Sequence, residues 1–90
     1  LKFEWNKEKA EMNFSKHGVS FDEAKTVFED PFYVDFYDPD HSYDEHRYII
    51  VGLSQQGRLL MVSYTERSNR TRLISSRQLT KKERRIYEQK

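Results

Sequence analysis

Between Tyr64 and Arg77 the chain reads YTERSNRTRLISSR, which sets Arg67, Arg70, Arg72 and Arg77 around a single carboxylate, Glu66. Strands that only pack against a core have no need of so much guanidinium. Arginine forks bind phosphate oxygens in bidentate fashion, so this run suits a polyanion. A second basic group follows at Lys81, Lys82, Arg84 and Arg85. Tyr64 and Tyr87 stand beside the two groups, where an aromatic face could stack on the exposed bases of a single strand. The structural alternative is a solvated sheet edge, where charges prevent edge-to-edge association.

Two further groups could carry chemistry. His17, in KHG, falls at the expected C-terminus of a helix, where the negative end of the dipole favours a protonated imidazole. It also shares a face with Ala10 and Phe14, as a capping histidine would. The loop DPDHSYDEH alternates Asp38, Asp40, Ser42 and Asp44 like the start of a calcium loop, with His41 and His46 flanking Asp44. The calcium pattern requires Gly at its sixth position and Glu at its twelfth. Tyr43 and Ile49 stand there instead. The loop therefore reads as a solvated or partner-facing acidic surface, and no metal site or cofactor is expected.

These residues depend on the elements that hold them. Asn6 is a plausible N-cap for a helix from Lys7 to His17, which Gly18 ends. Ser20 to Glu23 forms a capping box, with Val19 and Ala24 as its staple, for a second helix reaching about Asp30 before Pro31. Phe32 to Tyr37 reads as a short strand, and RYIIVGL, RLLMVSYTER and TRLISSRQ as a meander turned at Gln55–Gly57 and Ser68–Arg70. Thr80 to Glu83 is a capping box opening a short basic helix with Ile86 and Tyr87 inward. The order predicts an α+β fold: two N-terminal helices, a four-stranded mainly antiparallel sheet and a short C-terminal helix.

Alternation places Met61, Ser63, Thr65 and Arg67 on one face of their strand, with Leu60, Val62, Tyr64 and Glu66 on the other. A turn centred on Asn69 pairs Arg67 with Thr71, Thr65 with Leu73, Ser63 with Ser75 and Met61 with Arg77. Arg67 and Arg77 then lie about six residues apart along the ladder, roughly 20 Å. One phosphate cannot reach both.

Ninety residues suffice for one domain, taken as 1–90, with a modest core to which 13 aromatics contribute. The absence of cysteine excludes disulfides and thiolate zinc sites. No apolar run is long enough to span a membrane, and no signal-peptide pattern opens the chain, so a cytoplasmic protein without membrane contact is expected. The net charge of +1 conceals an asymmetry. Residues 1–45 hold 5 Lys and Arg against 12 Asp and Glu, a net −7, and residues 46–90 hold 11 against 3, a net +8. Either the basic half meets an anionic partner, or the two halves complement each other within the fold.

Three segments, FEWNKEKAEMNFSKHGVSFDEAKTVFEDP, RYIIVGLSQQGRLLMVSYTER and RLISSRQLTKKERRIYE, resemble in order and spacing the BrnT family of toxins from bacterial type II toxin–antitoxin pairs. The likeness runs from Phe3 to Glu88, with ISSR where the family pattern is closer to I-S-A-R. It implies a RelE-like fold and a metal-independent endoribonuclease that cuts RNA and arrests growth. It also implies a BrnA-like DNA-binding antitoxin, in a complex with two copies of each, that neutralises the toxin and represses their operon. Metal-free RNA cleavage needs a base for the 2′-hydroxyl, cations on the pentavalent phosphate and a proton for the leaving 5′-oxygen. In the TER and ISSR motifs, Arg67 and Arg77 are the expected phosphate contacts. Glu66 or His17 are candidates for proton transfer, and Arg70, Arg72, Arg84, Arg85, Tyr64 and Tyr87 for RNA binding. Two other readings remain open: a non-catalytic RNA- or protein-binding module on the same fold, and an acidic loop, residues 35–45, docked on the basic track of another copy.

Overall fold

The computed structural model describes residues 1–89. Local capping signals set its helices. The Asn6 side chain accepts from the Lys9 N–H at 3.0 Å, and Gly18, at φ 69°, closes α1 (Lys7–His17) by donating its N–H to the Phe14 carbonyl. Ser20 accepts from the Glu23 N–H and opens α2 (Phe21–Ala24), which tightens into a 3₁₀ turn over Lys25–Glu29. The sequence predicts one helix here. The Thr26 hydroxyl donates to the Glu23 carbonyl at 2.7 Å and competes with the backbone donor for it, which accompanies the narrower winding.

The sheet has five strands rather than the four expected, in the order β1 (Lys2–Glu4), β5 (Arg70–Gln78), β4 (Leu59–Arg67), β3 (Arg47–Leu53), β2 (Val34–Tyr37). The extra strand, β1, pairs parallel to β5, with Lys2 opposite Arg70 and Glu4 opposite Arg72. All other pairings are antiparallel. A short α3 (Arg84–Glu88) returns against β3.

The β4–β5 register agrees with expectation at one end and departs from it at the other. Met61 faces Arg77 and Ser63 faces Ser75, but Tyr64 then faces Leu73, Glu66 faces Thr71 and Arg67 faces Arg70. Ile74 is the extra residue of a bulge, and the turn has two residues, Ser68 and Asn69, with Ser68 at φ 54°. Burial explains the shift. A regular ladder from Ser63 would set Leu73 opposite Thr65, on the outward face. The bulge returns Leu73 to the helix side, where it is 2 % exposed beside Tyr64.

The core lies between the helices and one face of the sheet. Val19, Phe21, Ala24 and Val27 from the helical layer meet Ile50, Leu60, Val62, Tyr64 and Leu73 from the strands. The buried residue of α1 is Asn13, not the expected Phe14, which is 58 % exposed. The Asn13 amide donates to the Val19 and Ser76 carbonyls and accepts from the Ser76 N–H, all within 3.0 Å. One side chain thus fixes α1 to β5 with its hydrogen-bonding capacity well used.

Candidate active site on the open face of the sheet

The face turned away from α1 and α2 is not flat. Met61, Ser63, Ser75 and Arg77 from β4 and β5, with Ile49 from β3, floor a hollow of about 300 Å³. Arg47, Asp38 and His41 complete its wall. The loop bearing the last two is tied at its neck. The Asp38 N–H donates to the Arg47 carbonyl at 2.9 Å, and the Ser42 hydroxyl donates to the Asp38 carbonyl while accepting from the Arg47 N–H. Asp38 in turn holds His41, with Nδ1 and Oδ2 2.9 Å apart. When Nδ1–H donates to Asp38, the neutral imidazole keeps its lone pair on Nε2, the form of a general base.

Arg77 enters the hollow from β5 and is gripped from behind. Its two terminal nitrogens donate to the two Glu83 oxygens at 2.7 and 2.8 Å, and one also reaches Met61 Sδ at 3.4 Å. Glu83 completes the expected capping box, accepting from the Thr80 N–H at 3.0 Å while its own N–H donates to the Thr80 hydroxyl at 3.2 Å. The Arg77 hydrogen bonds hold the Glu83 carboxyl down to a pKa of about 2, and Glu83 raises that of the guanidinium. The Thr80 N–H is therefore engaged by Glu83 rather than free for an anion.

Arg47 stands on β3 between this hollow and the acidic loop. Its Nε lies 3.5 Å from Glu45 Oε2, too far for a hydrogen bond, and is shielded from solvent without another partner. Arg67 is at the turn end, 57 % exposed, with Nη2 3.3 Å from Glu45 Oε1. It shares a second hollow, of about 510 Å³, with Glu66, Glu45 and His46. Glu66 accepts from the Thr71 hydroxyl at 2.8 Å there. Although β4 alternation sets them on opposite faces, Arg67 and Glu66 meet at this rim.

The remaining candidates are dispersed. His17 lines a hollow on the α1 side of β5, with Asn13, Lys16 and Ile74 among its neighbours. Arg70 and Arg72 are paired with Glu4 of β1, at 3.6 and 3.2 Å. Arg84 and Arg85 are exposed on α3. Tyr64, expected to stack on a base, is a core residue. It is 8 % exposed, stacks on Tyr48 with ring centroids 5.6 Å apart, and meets Phe28 edge-on. Burial, with Asp35 near its hydroxyl, raises its pKa strongly. Tyr87 turns its hydroxyl inward to Asp30 at 2.7 Å, and burial pushes its pKa up to about 12. It is half-buried rather than a free stacking surface.

Of the residues singled out from sequence, Arg77 lines this hollow; Arg47 was not among them, and Asp38 and His41 were read as part of a solvated or partner-facing loop. The available signal was Arg47 at the head of a strand just after a loop rich in Asp and His. Among the described residues, no group of three or more His, Asp or Glu is arranged to hold a metal, and no helix is long and apolar enough to cross a membrane.

Comparison with known proteins follows the same lines. A family model described as the ribonuclease toxin BrnT of type II toxin–antitoxin systems matches residues 5–83. The chain is similar in fold to the crystal structure of the Brucella abortus ribonuclease toxin BrnT, with a TM-score of 0.67. That likeness covers 90 % of this chain and 99 % of the other at 18 % sequence identity. No curated protein sequence matches the chain significantly.

Proposed function

The chain belongs to the BrnT family of ribonuclease toxins of type II toxin–antitoxin systems, and on that premise we propose that it cuts RNA in the hollow shared by Arg77, Arg47 and His41. One observation carries this reading: two guanidinium groups and a carboxylate-oriented imidazole converge on one open pocket. The 2′-hydroxyl of the bound strand attacks the adjacent phosphorus and the P–O5′ bond breaks, giving a 2′,3′-cyclic phosphate and a 5′-oxygen that leaves with a proton from water. His41 Nε2 takes the hydroxyl proton, and Asp38 stabilises the imidazolium that forms. Arg77 supplies fixed positive charge to the pentavalent phosphate in place of a metal ion, while Arg47, at the wall of the hollow, contacts the strand beyond it. Arg77 suits this role because Glu83 and Met61 hold it in place, so little reorganisation accompanies the reaction.

His17 and Glu66, the proton-transfer candidates from sequence, lie outside this hollow. The reading therefore transfers the base to His41. Cleavage of cellular RNA in the cytoplasm would arrest growth, and a cognate BrnA-like DNA-binding antitoxin, assembling with two copies of each chain, would neutralise it. The family's membership in type II pairs supports an antitoxin. A RelE-like arrangement is consistent with helices on one face of a mainly antiparallel sheet.

The test incubates purified protein with single-stranded RNA in the presence of chelator. Wild type is expected to generate new RNA ends. Arg77→Ala and His41→Ala are each expected to slow cutting by about 100-fold or more. RNA left intact by wild type, or cut at the wild-type rate by both variants, sinks the proposal. Induction in a host lacking the antitoxin checks growth arrest with the same three proteins.

A further inference from the structure

The Glu45 carboxylate is divided between two arginines. Oε2 lies 3.5 Å from Arg47 Nε and Oε1 lies 3.3 Å from Arg67 Nη2. Glu45 also lines two neighbouring hollows, one bordered by Arg47 and His41, the other by Arg67 and Glu66. Arg47 and His41 in turn border the hollow of Arg77. From the hollow of Arg77 outward, the three thus share lining residues in succession, Arg47 and His41 between the first two and Asp44 with Glu45 between the last two.

The fit of Glu45 is poor by the standards of this molecule. Arg77 holds Glu83 at 2.7 and 2.8 Å, and Arg58 Nε holds Glu23 at 3.0 Å. Charge-assisted pairs normally close to about 2.7–2.9 Å. Around Glu45 both contacts are longer, and Arg47 Nε is shielded from water without a hydrogen bond. Two guanidinium groups thus face a carboxylate that satisfies neither fully. A phosphodiester presents two non-bridging oxygens and a full negative charge to the same pair, and its oxygens are splayed more widely than those of a carboxylate.

Resting on the ribonuclease reading above, we propose that Arg47 and Arg67 form a second RNA phosphate subsite, which Glu45 occupies in the free protein and which the RNA strand takes by displacing it. The subsite serves a different phosphate from the one at Arg77. Arg47 faces Thr65, four residues along β4 from Met61, the partner of Arg77, or about 13 Å. RNA must therefore extend along these hollows to reach both places. A short substrate reaches one only, and leaves Glu45 seated. The acidic loop accordingly acts on the basic track of its own chain, within one molecule.

The experiment measures binding of a single-stranded oligonucleotide with 2′-O-methyl riboses, which lack the attacking hydroxyl. Wild type, Glu45→Gln, Arg67→Ala and the double variant are compared by fluorescence anisotropy, with circular dichroism to check folding. Glu45→Gln is expected to bind about tenfold more tightly. Arg67→Ala should cost more affinity in the Glu45→Gln background than in the wild type. Should Glu45→Gln fold poorly, Glu45→Asp, too short to span both arginines, is expected to tighten binding in its place. Equal or weaker binding by a folded position-45 variant overturns the proposal. So does an Arg67→Ala cost that is the same in both backgrounds. If wild type binds no RNA, this proposal and the ribonuclease reading fall together. If binding depends on Arg77 but not on Glu45 or Arg67, only the second subsite is lost.

Discussion

Arg77 owes its place to a carboxylate six residues further along the chain. Glu83 binds both of its terminal nitrogens and at the same time caps the turn that leads into α3. Because the folded pKa of Glu83 is depressed from 4.5 to about 2, its contribution to stability is fully present above pH 4.5 and is lost as pH falls toward about 2. Glu83→Gln is therefore expected to melt at a lower temperature than wild type at pH 7 by the equivalent of about 1 kcal/mol. The two curves should converge near pH 2, and a difference that persists there would rule out the ion pair as the cause. Arg77, which lines the hollow, could be singled out from sequence because it sits in a recognisable motif. His41 and Arg47 could not, because no local signal shows that the 38–46 loop arches over the open face of the sheet. Tyr64 was misjudged for a related reason. An aromatic beside arginines has the same composition whether its ring faces a base or, as here, Phe28 and Tyr48.

At the level of elements, the features set by neighbouring residues were readable and those set by distant ones were not. Asn6, Gly18 and Ser20 each cap or close a helix where sequence places them, whereas the Thr80 capping box closes a turn and α3 begins only at Arg84. The three residues of β1 carry too little pattern to announce a strand, and their partner lies at the far end of the chain. The bulge at Ile74 likewise answers to the burial of Leu73, which only the assembled layers demand. Asn13 shows how far a distant demand can override local preference, since an asparagine takes the buried position on α1 while Phe14 is exposed. Asn13→Ala removes three hydrogen bonds and strands buried backbone groups of Val19 and Ser76. Its expected cost is about 2–3 kcal/mol, read by urea unfolding. A loss below about 0.5 kcal/mol would mean that water replaces the amide without penalty.

Across the whole molecule, the acidic first half and basic second half are joined by carboxylate–arginine pairs, and Glu23 is the most buried member of these. Its side chain receives Arg58 Nε at 3.0 Å and the Ser54 hydroxyl at 2.7 Å, with a second, closer contact from Arg58 Nη2. Arg58 also donates to the Gly18 carbonyl, so the β3–β4 hairpin grips the end of one helix and the start of the next. These bonds lower the Glu23 pKa against the opposing effect of burial. Arg58→Met leaves that carboxylate with only Ser54, and the expected loss is roughly 3 kcal/mol. The double variant Glu23→Gln with Arg58→Met should recover part of it, and thermal melts of the three proteins compare them. No recovery would show that Arg58 acts through packing rather than charge.

The position of β1 beside β5 has a consequence for the order in which the protein can be made. A ribosome delivers the N-terminus first, yet residues 2–4 pair with residues 70–72. The nascent chain can wind α1 and α2 early, but the helical layer has nothing to cover until β4 and β5 emerge. The sheet then closes by joining residues separated by about seventy positions, a long loop whose closure entropy is met late. Arg77 comes later still, and the Glu83 that holds it arrives after that. The candidate hollow is thus complete only once the chain has been made through Glu83, and a chain stopped short of it carries Arg47 and Arg67 without Arg77 held in place.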